Sequence, residues 1–311
     1  MNVFDPAALD CLAALAGTGS FERAAEQLSV TQSAVSQRLR VLETGLGRLL
    51  VVRSRPLRLT ESGKVLLRYA RQMQALRADV ARELGNTQAR HERLPIAVNA
   101  DSLATWVLPA LDEWVQQGQR EGYGLDLLVD DQDFTHDWMR QGEVLGCVST
   151  VAEPLRGCSV LPLGCMRYIA VASPAFLARQ LPKGLTRGNF ATVPWLVFNR
   201  KDDMHRVWAG AAFEVRKPRL NEHFVPSTEA HTRAALMGWG VAVMPEQMAA
   251  PALAQGGLMQ VHPDIMVDVR LHWHQWKLRA ADNAAATHGA GALDRIGLAL
   301  AAGAQRALRP A

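Results

Sequence analysis

The stretch SFERAAEQLSVTQSAVSQRLRVLE, residues 20–43, constrains this chain more than any other. Ala24, Ala25 and Leu28 form one apolar face of a short helix that Ser20 can cap, with Glu22 in the first turn where the dipole favours an acid. The small pair Ala24–Ala25 admits a neighbouring helix at close range, and Ser29–Val30 is too short for anything but a sharp turn. Thr31 then caps a second helix, with Val35, Leu39 and Leu42 on one face. Its opposite face presents Ser33, Ser36, Gln37 and Arg40, with Gln32 near the start. These are side chains of the kinds that read base edges or grip phosphates. Any surface helix has a polar outer face. Two capped helices joined by so short a turn give this one a purpose, that of a helix-turn-helix.

The flanks agree. Leu9, Leu12, Ala13 and Ala16 recur at helical spacing up to Gly17-Thr18-Gly19, which predicts a preceding helix. After the pair, LLVVR and LRLT, joined across Ser54-Arg55-Pro56, predict a wing. Its Arg53, Arg55 and Arg58 can neutralise phosphates or enter the minor groove. Thr60 caps a long helix running to about Leu84, in which Leu66, Tyr69, Met73, Leu76 and Val80 follow a heptad spacing. That seam is expected to pair with a second subunit, although a helix packed on its own domain would use the same spacing. Residues 1–90 hold 13 Lys and Arg against 8 Asp and Glu, whereas the rest balance at 21 against 22. Attraction for a polyanion therefore sits at one end.

The string SFERAAEQLSVTQSAVSQRLRVLETGLGRLLVVRSRPLRLTESG resembles the winged helix-turn-helix of LysR-type transcriptional regulators. FERAA, TQSAVSQR and RSRPLRLT resemble the ArgP/LysG branch in particular, as do NADSLATWVLPAL, GEVLGCVST and LGCMRYIAVASPAF further along. The resemblance implies a regulator without a cofactor that binds double-stranded operator DNA as a homodimer or homotetramer and meets RNA polymerase there. It also implies sensing of a basic amino acid, lysine or arginine, and control of an amino-acid exporter gene.

From Leu94 onward strands and helices alternate. LPIAVNA, LDLLVD and VLGCVST read as strands, with helices over 102–117 and 135–141. MRYIAVAS, WLVFN, NEHFV and GVAVMP form a second set of strands, with helices near Pro174, His205, Thr228 and Glu246. Such alternation predicts an α/β fold, a parallel sheet covered by helices, behind the all-α winged helix-turn-helix. VDVRLHWHQW and a last helix from about Leu293 to Leu308 are expected to return to the first lobe. The resemblance implies a two-lobed, periplasmic-binding-protein-like (type 2) effector domain with crossings near 161–166 and 264–269. The expected units are residues 1–60 for DNA binding, 61–90 for dimerisation and 91–311 for the effector. Lobe I takes about 91–162 and 268–311, and lobe II about 163–267.

Ligands in such a cleft sit at strand carboxyl ends and helix amino termini. Ser102 and Thr228 occupy two such places and are expected to hold an α-carboxylate, although each would serve equally as a helix cap. Carboxylates for a cationic ligand come from Asp130, Asp131 and Asp133, with Asp101, Glu229 and Ser149 as further candidates. Trp106, Trp195 and Trp239 either wall the cleft or belong to the core. His272 and His274 share a strand face but lack a third ligand, so no metal site is expected. With no GxSxG, HExxH or P-loop either, no enzyme is expected. Cys158 and Cys165 leave open a redox-sensing regulator, and the second half by itself would fit a solute-binding protein. The start, MNVFDPAALDCLAALAG, has acids and no Lys or Arg before its apolar run, the reverse of a secretory leader. No apolar run approaches the ~20 residues that span a bilayer, so a cytoplasmic protein with no membrane partner is expected.

Overall fold

The computed structural model describes residues 4–54, 57–84, 92–130, 135–278 and 291–310. Helices α1 (Pro6–Thr18), α2 (Phe21–Leu28) and α3 (Gln32–Leu46) close around Leu12, Leu15, Ala24, Val35 and Leu39. Asp5 starts α1 by accepting the Ala8 N–H at 3.0 Å, and Gly19, at φ 66°, ends it. Thr31 caps α3 as expected, its Oγ1 accepting the Ala34 N–H at 3.2 Å. Ser20 does not cap α2 with its side chain. The turn before α2 is closed by Thr18 instead, whose Oγ1 accepts the Ser20 N–H at 3.4 Å. The wing is an antiparallel pair, β1 (Val51–Val52) and β2 (Arg58–Leu59). Glu43 reaches back from α3 to accept the Leu50 N–H at 2.8 Å, which fixes where the wing leaves the helices.

The long helix α4 (Glu61–Glu83), capped by Thr60, has three faces. One lies on α1, where Leu66 and Ala70 join the helical core and Gln74 and Arg77 donate to Asp10 at 2.8 and 2.6 Å. Leu66 is thus a core residue of its own chain and no part of an outward seam, because its neighbours Ala70 and Gln74 turn that flank toward α1. A second face is otherwise free among the described residues, with the Phe4 ring 5.5 Å from that of Tyr69: Tyr69 and Val80 are exposed and Met73 and Leu76 half-buried, with exposed Val65 extending the row. The third rests on the second half of the chain. Arg71 donates to the Gly142 carbonyl at 3.0 Å and pairs with Glu143 at 3.4 Å. Arg68 covers the Trp276 ring at 5.0 Å, and buried Asp79 pairs with Arg82 and accepts the Ala292 N–H at 3.1 Å.

In the second half, β3 (Glu92–Asn99) runs into one continuous helical stretch. It comprises α5 (Ala100–Ser102), a π-helical segment over Leu103–Val107 and α6 (Leu108–Glu121). This run outlasts the expected end at 117 because Gly118 stays helical and Gly122, at φ 76°, is the stop. β4 (Tyr123–Asp130), α7 (Thr135–Arg140) and β5 (Gly146–Ser149) complete the first lobe's parallel trio, with β3 in the middle. β6 (Cys158–Ala172) crosses to the second lobe. There α8 (Pro174–Gln180), β7 (Pro194–Val197), α9 (Met204–Phe213), β8 (Asn221–Phe224), α10 (Thr228–Leu236), β9 (Val241–Pro245) and α11 (Glu246–Ala254) set β7 between parallel β8 and β9. β10 (Met259–Gln260) pairs with β6, β11 (Met266–Trp276) crosses back, and α12 (Ala292–Ala307) covers α6. β6 and β11 stay antiparallel partners over their whole overlap, with a register shift at Leu271/His272. One sheet, in the order β4-β3-β5-β11-β6-β9-β7-β8, therefore passes through both lobes. Trp106 and Trp195 are core residues of the two lobes, and Trp239 is 53% exposed. Among the described residues no helix is long and apolar enough to cross a membrane.

His136 on α7 and His274 on β11 meet edge to face at 5.0 Å, and His274 Nε2 lies 2.7 Å from the Val151 carbonyl. Burial lowers the pKa of both. The unfolded chain takes up these protons near the ordinary histidine value of about 6.5, while the folded chain does so only at lower pH. Stability is therefore complete above about pH 6.5 and declines as the pH falls below it. Urea midpoints measured from pH 8 to pH 5 should show this loss, and His136→Gln should make it shallower.

Candidate DNA-reading face and effector cavity

On α3, Gln32, Ser33, Gln37 and Arg40 are exposed and Ser36 is half-buried; on the wing, Arg53 and Arg58 are exposed. Gln32, Ser36 and Arg53 line one groove of ≈ 480 Å³ with Gly19, Ser20, Phe21 and Glu22. The Arg53 guanidinium stands 5.3 Å from the Phe21 ring centroid, and Ser33 Oγ shares a 2.9 Å hydrogen bond with Thr31 Oγ1. The amino ends of α2 and α3 and an arginine thus converge, which is the equipment for a backbone phosphate. Arg55 lies outside the described residues.

Between the lobes is a cavity of ≈ 50 Å³. Asn99, Ala100 and Asp101 line it from the first lobe, where β3 passes into α5. Phe198, Asp202, Asp203, Met204, Thr228, His231, Val243, Met244 and Met248 line it from the second, and Tyr168 of β6 contributes as well. The Tyr168 hydroxyl donates to Asp101 Oδ2 at 2.8 Å, a bond that ties the crossing strand to the first lobe. Asp202 accepts the Phe198 and Met204 N–H groups at 3.0 and 2.9 Å, which shapes the loop after β7. Among the described residues the lining has three aspartates and neither Lys nor Arg, so the potential inside favours cations. Asn99 Oδ1 and His231 Nε2 are buried and find no hydrogen-bond partner among the described residues. Each such atom costs about 1–3 kcal/mol while unsatisfied.

Two of the expected effector residues, Asp101 and Thr228, meet here. Ser102 is fully buried but does not line the cavity. Ser149 is buried too, and its Oγ is used by the Val151 N–H at 3.2 Å in the turn after β5. Glu229 points away, its side chain 83% exposed and 3.8 Å from Arg233, because the second position of α10 lies on the outer side. Asp131 and Asp133 lie outside the described residues, and of Asp130 only the backbone is described, at the end of β4 opposite Asn99. Sequence reasoning missed Asn99, Tyr168, Asp202, Asp203 and His231. A signal for two of them existed: Asp202 and Asp203 follow the strand WLVFN and precede a helix, the same position that singled out Asp101.

The redox alternative does not fit this geometry. Cys158 and Cys165 are seven residues apart on the single strand β6, roughly 23 Å along it at about 3.3 Å per residue. A disulfide needs Cα atoms within about 7 Å. Burial also pushes the Cys158 thiol up to about 12, leaving little thiolate to react with an oxidant.

Residues 6–64 match the lysR family of bacterial regulatory helix-turn-helix proteins, and residues 87–287 match the LysR substrate binding domain. The HTH-type transcriptional regulator LysG of Mycobacterium tuberculosis is 43% identical over 274 residues, 87% of each chain. The crystal structure of ArgP from Mycobacterium tuberculosis superposes with a TM-score of 0.81 at 39% identity, covering 98% of both chains. Full-length LysG from Corynebacterium glutamicum, with its effector Arg bound, gives a TM-score of 0.72 at 35% identity, covering 99% of this chain and 100% of that one. The relatives so named are regulators and not enzymes or transport proteins. A winged helix-turn-helix, a long connecting helix and a two-lobed α/β half, matched along nearly their whole length, show that this chain belongs to the LysR family of bacterial transcriptional regulators.

Proposed function

We propose that this DNA-binding regulator acts in the cytoplasm and responds to a cationic amino acid, lysine or arginine, held between its lobes. The observation that carries the reading is the cavity itself: Asp101, Asp202 and Asp203 line it together with Asn99 and His231, each of which has a buried polar atom without a partner among the described residues, and no Lys or Arg among the described residues lines it. The arginine in the Corynebacterium glutamicum structure supports the same ligand class. Gln32, Ser33, Ser36, Gln37 and Arg40 read the operator, while Arg53, Arg55 and Arg58 hold its phosphates. Residues 1–60, 61–90 and 91–311 act as head, dimerisation helix and sensor. Two chains meet along the free face of α4 through Tyr69, Met73, Leu76 and Val80, and pairs of dimers form the tetramer. Effector binding shifts the lobes, and with them the dimers, so that RNA polymerase gains or loses access to an amino-acid exporter gene.

Titration calorimetry tests the ligand. Lysine and arginine should bind, and norleucine, which matches lysine without its side-chain ammonium, should bind at least tenfold more weakly, because a charged hydrogen bond is worth about 1.5–3 kcal/mol. Preference for norleucine or for an acidic ligand would remove the effector assignment and leave the family untouched.

A further inference from the structure

We propose that His231 is the residue of the cavity that demands a cationic N–H donor, acting as a neutral acceptor, and that it makes effector binding weaken as the pH falls. This rests on the reading that the cavity takes a cationic amino acid. His231 sits on α10, 6% exposed, at the cavity wall. Its ring hydrogen-bonds to the backbone of Leu196, an inner residue of β7 paired with Ala242 of β9. A carbonyl there can only accept, so the ring nitrogen facing it carries the hydrogen and the other, Nε2, presents its lone pair. That Nε2 is the buried atom left without a partner. A lone pair cannot hold a carboxylate; it takes an N–H or O–H donor, and the three aspartates lining the same cavity favour a donor that is cationic.

The surroundings keep the ring in this state. Asp202 and Asp203 approach from the loop after β7, and Asp101 lines the same cavity from the first lobe. From α9 comes His205, whose Nε2 lies 2.8 Å from Glu222 of β8, and Arg206 pairs with that same carboxylate. Burial lowers the pKa of His231, against the opposing pull of the Leu196 carbonyl and Asp202, so the ring is neutral at pH 7. A proton taken up below that range removes the lone pair and sets a positive charge against a positive ligand. Affinity is therefore full while the ring is neutral and falls only below the ordinary histidine value of about 6.5, in the lowered range where this buried ring takes up its proton.

The test is calorimetry of the full chain with lysine at pH 8.0 and 5.5, comparing wild type, His231→Leu and His231→Gln. Wild type should lose affinity between the two pH values, by less than the about tenfold that an imidazole of ordinary pKa, about 6.5, would give at pH 5.5. His231→Leu should bind about tenfold more weakly at pH 8.0 and show a flat pH response. His231→Gln, whose amide oxygen still accepts, should recover part of the affinity and also be flat. Repeating the leucine variant with norleucine locates the donor: a penalty that disappears means the side-chain ammonium, one that persists means the α-ammonium, and both support an acceptor at His231. If the leucine variant does not fold, the glutamine variant and the wild-type profile decide. A wild-type pH response that survives either substitution overturns the role of His231 alone. A wild type that binds neither lysine nor arginine at any pH overturns the ligand assignment, and this role with it.

Discussion

Gly63→Ala is expected to abolish operator binding and to destabilise the winged head by about 3 kcal/mol or more. Gly63 lies in the first turn of α4, where an added Cβ would penetrate the Leu50 carbonyl oxygen and stand 3.0 Å from its carbon. That peptide has nowhere to go. The Leu50 N–H is held by Glu43, and its carbonyl accepts the Thr60 N–H at 2.9 Å. Overpacking a well-packed core costs about 1–3 kcal/mol, and more where the obstacle is pinned backbone. The sign makes the test sharp, because an unobstructed Gly→Ala change within a helix stabilises by about 0.5–1 kcal/mol. Urea unfolding and gel-shift titration decide it: an alanine variant as stable and as avid as its parent would falsify the packing of α4 on the wing.

Operator affinity should fall about 10³-fold or more between 50 and 200 mM salt. Each subunit offers exposed Arg40, Arg53 and Arg58 beside the amino ends of two helices, so the proposed dimer would reach on the order of 6–10 phosphate contacts. Each contact releases a counterion, and the logarithmic slope grows with their number. Arg53→Ala should weaken binding to every sequence alike and lower the slope by roughly one for each copy. Gln37→Ala should leave the slope in place and relax the choice among sequences, since the base-reading role proposed for it involves no charge. Fluorescence anisotropy over a salt series resolves these outcomes, and a flat response would contradict the reading face.

The head was legible from sequence because its signals are local. Thr31 caps a helix three residues away from its partner N–H, and Val35, Leu39 and Leu42 announce their common face by spacing alone. Spacing says which residues share a side of a helix; it is silent about what covers that side. Leu66 follows the same heptad as Tyr69 and Val80, yet α1 lies over Leu66 and leaves the others outside. The cavity was harder for a related reason. Asn99 and His231 are 132 positions apart and meet only because β6 and β11 bring two separately built lobes face to face. The strand-end rule selected Asp101 and Thr228, which line the cavity, and also Glu229, whose direction depends on one 100° step along α10.

Splicing this reading head onto a foreign sensor would be governed by how α4 is seated. Gln74 and Arg77 of α4 hold Asp10 of the head, so the boundary that keeps the head intact falls beyond Glu83 and not at Thr60, although Arg71 and Asp79 grip Gly142, Glu143 and Ala292 from the same helix. A junction at Thr60 would keep the recipient's helix under a head whose Asp10 has lost Gln74 and Arg77. A junction past Glu83 keeps the head whole but strands Asp79 and Arg71 against unfamiliar loops, so working hybrids will need the recipient's counterparts of Glu143 and Ala292 rewritten to receive them.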